Sequence, residues 1–146
     1  MRLISILLFF SFFQTIVSAQ NKNAENKIIP ILLSGNFTDD YDIQYSISDS
    51  VWVQFPNTKY HIIAVDSSAQ YILAKNDANN PGDVGLYTRI DYMYFKNMKP
   101  YNWGFCLTVY NAKTLEEAKN KAASDRNNPM KGCNGFPFSR MKKENK

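Results

Sequence analysis

Between residues 43 and 110 the chain is divided into short apolar or alternating segments, each closed by a turn signal. Ile43, Tyr45 and Ile47 alternate with Gln44, Ser46 and Ser48, the period of two that gives a strand one buried face. Asp49-Ser50 then leads into Val51–Phe55, Pro56-Asn57-Thr58 into Tyr60–Val65, and Asp66-Ser67-Ser68 into Gln70–Lys75. Pro presets a turn dihedral, and Asp, Asn and Ser bond their own backbone, so these connections are tight. The longest polar loop, Asn76–Asp83, precedes two longer segments, Leu86–Phe95 and Tyr101–Tyr110, joined by residues 96–100. Short strands at this spacing predict an antiparallel meander. Ahead of them, Ile28–Leu33 is an apolar run broken by Pro30, which suits an edge strand or a lead-in.

In the last of these segments Tyr101, Trp103, Phe105, Leu107 and Val109 share one face, which is expected to point into the core, while Gly104, Cys106 and Thr108 lie on the other. The second cysteine is Cys133. An even pair in an oxidising compartment reads as a structural disulfide. A metal pair would need further ligands, with His61 the sole histidine in the chain, and a redox couple would favour a C-x-x-C spacing that is absent. Thr114 with Glu117 makes a capping box ahead of the one convincing helix, Leu115–Ser124, whose inner stripe is Leu115, Ala118 and Ala122. The predicted fold class is therefore mainly β. It is an antiparallel meander of six or seven strands, closed as a small barrel or left as a curled sheet, with one C-terminal helix clamped by the disulfide. Closure is favoured because it removes exposed edges.

The N-terminus reads as an export signal. Met1-Arg2 is followed by the apolar run Leu3–Phe13, and Val17-Ser18-Ala19 places small residues before a cleavage point at Gln20. The apolar run is shorter than the ~20 residues a spanning helix needs, although an uncleaved anchor is the alternative. The expected organisation is a signal over residues 1–19, a polar arm over 20–27 and one β-rich domain over 28–146. The expected address is secreted or periplasmic, without a lipid anchor, and the expected state is a monomer with no transmembrane segment in the mature chain.

The formal net charge is +4, from 17 Lys and Arg against 13 Asp and Glu, and much of it sits at Arg140, Lys142, Lys143 and Lys146. A solvated tail accounts for such a run. Without a basic helix or an interleaved aromatic platform, nucleic acid is not an expected partner.

Gly35-Asn36-Phe37 resembles the Gly-x-Trp motif that opens the first strand of lipocalins, with Phe in place of Trp, and the order of leader, meander, helix and late disulfide is similar to the lipocalin and calycin group. The resemblance implies an interior cavity for a small apolar ligand. Thr88–Tyr92, Pro100–Cys106 and Gly132–Phe138 also resemble a group of uncharacterised exported bacterial proteins, a likeness that carries no activity with it.

Candidates for chemistry each have an ordinary counterpart. Asp77, Asn79 and Asp83 could hold calcium, but the twelfth position of an EF-hand count is Thr88 rather than Glu, so an Asx-rich turn is the better reading and no metal or cofactor is expected. His61 lies within a strand and the chain lacks a Gly-x-Ser-x-Gly elbow. Paired carboxylates among Asp39, Asp40 and Asp91 could serve a hydrolase, a reading that needs a cleft joining two of them. Arg89 and Asp91 alternate on one strand face: outside the barrel they are a surface pair, inside it Arg89 would anchor a ligand carboxylate. The aromatics Trp52, Tyr71 and Trp103 are core material first and ligand contacts second. The expected function is an exported, non-enzymatic binding domain for a small apolar or amphipathic ligand, with candidate contacts Trp52, His61, Tyr71, Arg89, Asp91 and Trp103. The alternative is a protein-interaction or inhibitor module of the cell envelope that uses the Asn76–Asp83 loop or the Phe136–Phe138 segment. Asn36-Phe37-Thr38 is a glycosylation sequon, relevant in a eukaryotic host.

Overall fold

The computed structural model describes residues 27–144. The expected signal, and all of the expected arm except Lys27, lie outside the described residues. Eight strands follow in order: β1 (Gly35–Asp39), β2 (Gln44–Ile47), β3 (Val51–Gln54), β4 (Thr58–Asp66), β5 (Tyr71–Asn76), β6 (Tyr87–Tyr94), β7 (Tyr101–Ala112) and β8 (Ser139–Lys143). The one α-helix among the described residues, α1 (Leu115–Asn120), lies in the connection between β7 and β8. Each strand pairs antiparallel with the next, and β8 returns to β1 through Phe37↔Lys143, Thr38↔Lys142 and Asp39↔Met141, closing the barrel. Closure leaves no free edge among these strands.

The strand count corrects the six or seven expected from the sequence. Ile28–Leu33 forms no strand. Pro30 opens a short 3-10 turn over Ile31–Leu33, and Ile29 and Leu33 close that end of the barrel as part of its core. β1 opens on Gly35-Asn36-Phe37, and β8 occupies the basic tail expected to be solvated. Of the five residues of β8 only Met141 is buried, so the strand has too few apolar positions to show a period.

The interior is filled by aromatic rings meeting edge to face. Trp103 meets Phe37 at 5.2 Å and Trp52 at 5.9 Å. Phe105 meets Trp52 at 4.9 Å and Tyr45 at 5.5 Å. This geometry brings ring edges against ring faces and adds ~0.5–1.5 kcal/mol per pair to the area term.

Bulges decide which side chains leave the interior. β4 gains a residue against β5 between Ile62 and Ala64, so Ile62 and Val65 join the interior while Ala64 joins a second, outer cluster. Two register shifts in the β6–β7 ladder turn Val109 to the outer cluster after Leu107 has packed inside. Val109 therefore departs from the expected common face. An extra residue reverses the alternation of everything beyond it.

α1 covers this outer wall. Thr114 caps it, its Oγ1 accepting from Glu117 N at 3.1 Å, and Glu117 Oε2 accepts from Lys113 N at 2.8 Å. The helix ends at Asn120, four residues earlier than expected, and Ala122 is exposed. The stripe reduces to Leu115 and Ala118, which pack with Leu73, Ala64 and Ala112. Arg89 fixes the early end: its Nη1 donates to Lys119 O at 2.7 Å and Lys121 O at 2.9 Å. A guanidinium at a helix C-terminus satisfies orphan carbonyls and meets the negative end of the dipole. The Cys106–Cys133 disulfide then ties the connection to the outer face of β7, on the face expected from the sequence.

Candidate functional site

The end of the barrel opposite Ile29 and Leu33 is bordered by the turns after β1, β3 and β5 and by the chain leaving β7. Two depressions open there. One, of about 270 Å³, is lined by Gln54, Thr58, Tyr60, Asp83, Leu107 and Tyr110 among others. The other, of about 340 Å³, is lined by Asp39, Ile43, Tyr45, Gln54, Phe105, Leu107 and Phe136 among others. They share Gln54 and Leu107 and so form one shallow, two-lobed mouth over the aromatic core.

The rim is built by amide side chains that replace backbone partners. Asn76 Nδ2 donates to Asp83 O at 2.9 Å and Tyr110 O at 2.8 Å, while its Oδ1 accepts from Thr88 Oγ1. Asn80 bridges to β4, accepting from Lys59 N and donating to Lys59 O. Asp77 starts the loop as an Asx turn, accepting from Asn79 N at 2.8 Å, and it meets His61 Nε2 at 2.5 Å. The Asn79 amide and then the His61 ring hold the Asp77 carboxyl down to about 2. Asp83 has a left-handed backbone, φ 52°, which Asp tolerates better than most residues.

On the other lobe Asp39 turns inward. It accepts from Tyr41 N and Ile43 N at 2.9 Å and from the Tyr45 hydroxyl at 2.8 Å. Burial, and then the bond to Asp39, push the Tyr45 hydroxyl far above its usual range, so it remains a neutral donor. Tyr60 differs. It is 6% exposed, its hydroxyl makes no hydrogen bond within the described residues, and burial, with Asp83 nearby, raises its pKa. The side chains of Gln54 and Thr58 are likewise unbonded within the described residues. Asp39 and Asp83 are the charged residues lining the two lobes. The mouth thus offers an apolar floor, three polar groups with free capacity and a negative rim.

The six residues expected to contact a ligand do not converge there. Trp52 and Trp103 lie deeper, buried in the ring cluster, and neither indole N–H has a hydrogen-bond partner among the described residues. His61 is exposed on the outer side of β4 beside Asp77. Tyr71, Arg89 and Asp91 lie on the outer wall, with the Arg89 guanidinium 4.2 Å from the Tyr71 ring. Of the two alternatives for the Arg89–Asp91 pair, the structure shows the outside one, yet the pair is buried beneath the connection, with Nε to Oδ1 at 3.0 Å. The acids considered for hydrolysis are each engaged: Asp39 by the β1–β2 turn, Asp40 by Arg140 at 2.7 Å, and Asp91 by two arginines, Thr108 and Ser124. Asp77 and Asp83 fall in different settings, and no group of three metal-binding side chains occurs among the described residues.

Tyr60, Gln54 and Leu107 had no sequence signal as site residues beyond strand membership. The Asn76–Asp83 loop did, as a candidate contact loop. Comparison of the chain with known protein families, with curated proteins and with solved structures returns no match.

Proposed function

We propose that this chain is an exported, non-enzymatic binding domain that takes a small amphipathic molecule at the open mouth of its barrel. The lipocalin resemblance implied an interior cavity, but the interior position is occupied by Trp52, Trp103, Phe105 and their neighbours, so the reading moves to the mouth above them. The observation that carries it is Tyr60, a nearly buried side chain whose hydroxyl has no partner among the described residues and lines a depression that also presents Gln54 and Thr58. A ligand hydroxyl or amide would replace solvent at this hydroxyl, with the ~0.5–1.5 kcal/mol net gain of an ordinary hydrogen bond. Leu107, Phe105 and Tyr110 supply apolar area. The negative rim disfavours anionic ligands and fits neutral or cationic ones. The disulfide supports an oxidising compartment, and no helix among the described residues is long and apolar enough to cross a membrane.

Native mass spectrometry of the chain collected from an exporting host, compared with its denatured mass, tests the reading. A retained mass that disappears in Tyr60→Phe and Gln54→Ala is the expected result. A bare polypeptide whose Tyr60 and Leu107 NMR signals stay fixed against neutral, cationic and anionic octyl amphiphiles would overturn it.

A further inference from the structure

A further concavity of about 200 Å³, adjoining one lobe of the mouth, lies on the outer wall, between the β6–β7 turn and the connection that follows α1. Its floor includes Phe138, which is buried, and Phe95. Phe95 lies across Gly104, where any Cβ would come within 2.8 Å of the Phe95 ring. Pro129 and Pro137 form walls, and Tyr41, Met98 and Met130 stand exposed around it, Tyr41 at 65% and Met130 at 68%. Phe136, 71% exposed, lines the adjoining lobe of the mouth, which shares Tyr41 and Pro137 with this pocket.

The segments that form the pocket are fixed before any partner arrives. Phe138 N donates to Pro129 O at 2.9 Å, Phe95 N donates to Asn102 O at 2.8 Å, and Arg140 holds Asp40. The disulfide anchors the intervening loop. Four large apolar side chains left in solvent along one preformed face are characteristic of an interaction surface. Met at the rim adapts to varied shapes.

The segments that form this face carry more unpaired lysines than unpaired acids. Lys96, Lys99 and Lys131 directly follow Phe95, Met98 and Met130, all three are exposed, and none joins an ion pair among the described residues. Asp40 is neutralised by Arg140, while the buried Asp39, and Asp42 beside Tyr41, make no ion pair among the described residues.

We infer that this face docks a segment of another protein that places one bulky apolar side chain in the pocket and flanks it with Asp or Glu. The buried anchor would supply affinity, as such anchors do at interfaces, and the carboxylates would meet the lysines and speed encounter. The occupant is a polypeptide, which distinguishes it from the small ligand proposed for the mouth.

Selection from a displayed library of random 12-residue peptides against the disulfide-intact chain tests this. The expected peptides share an aromatic or branched aliphatic residue with acidic neighbours. Their binding should fall at least tenfold in Met130→Asp and in Lys99→Glu/Lys131→Glu, weaken with salt, and remain unchanged in Tyr60→Phe. These variants alter exposed side chains, and retention of the parent circular dichroism and melting temperature establishes that they fold. Enrichment of no motif, enrichment of basic flanks, binding indifferent to Met130→Asp, or binding lost in Tyr60→Phe would each overturn the inference.

Discussion

Asp91 holds more of the outer wall together than any other single side chain described above. Its carboxylate accepts from Arg89 Nε at 3.0 Å, Thr108 Oγ1 at 2.6 Å and the Ser124 amide at 2.8 Å, with Arg126 Nη2 at 3.5 Å. Arg126 also reaches the carbonyls of Ala69, Gln70 and Tyr92, so one acid joins β6, β7, the β4–β5 turn and the connection. Asp91→Asn would leave the Arg89 guanidinium buried without its counter-charge, and breaking a buried pair costs ~3–5 kcal/mol. Urea unfolding should show that loss, and a change below ~1 kcal/mol would mean that the carbonyls around Arg89 suffice to hold it. Asp77 gives the contrasting surface case. Its pKa is lowered in the folded state, so its contribution is complete above the unfolded value of ~3.9 and is lost as pH falls toward about 2. Asp77→Asn should therefore lower the melting temperature slightly at neutral pH, converge with the parent as pH falls toward about 2, and so flatten the dependence of melting temperature on pH across that interval. A slope equal to the parent's between pH 2 and 4 would contradict this.

At the scale of elements, the 113–138 connection behaves as a strap fixed at both ends. Reducing it to its disulfide understates it, because Gly132, one residue before Cys133, admits no side chain: a Cβ there would stand 1.9 Å from Asp125 O. That neighbour is backbone and is itself hydrogen-bonded to this loop, since Asp125 N donates to Gly132 O at 3.0 Å. Cys106→Ala/Cys133→Ala should lower stability by ~3–4 kcal/mol, the loop-entropy value for a bridge of this span across a sequence separation of 27, while the far-ultraviolet circular dichroism stays that of the barrel. Gly132→Ala should displace the loop and weaken peptide docking even with the disulfide intact. If docking is unaffected, the strap is not what shapes that face. These elements also show what a sequence displays. The capping box at Thr114 and Glu117 is a local device, and the outward face of Cys106 follows from a period of two, so both were legible. The helix end was not, because it depends on Arg89, a residue far away in the chain. β8 was hidden because its burial rests on Met141 alone. The mouth was hidden because bulges in β4 and β7 decide which side chains stay inside, and a bulge has no signature in alternation until both strands are known.

For the whole molecule, closure is the property on which the others depend. β8 is short and mostly polar, yet it joins β7 to β1 and carries Met141 into the core beside Phe37 and Trp103. Both tryptophans are buried in that core, so tryptophan emission reports directly on closure. A chain ending at Phe138 would leave the edges of β1 and β7 without partners, and open edges recruit other chains. Its tryptophan emission should move to the red, its unfolding should lose cooperativity, and size-exclusion chromatography with light scattering should find oligomers. Met141→Asp keeps the backbone ladder but places a carboxylate where Met141 is fully buried, and should loosen the core without the oligomers. Comparing the two separates the ladder from the packing. If the truncated chain remains a monomer with the parent's blue emission, the seven remaining strands hold the ring cluster without closure. The mouth and the outer pocket would then rest on the hairpins of an open sheet instead of on a barrel.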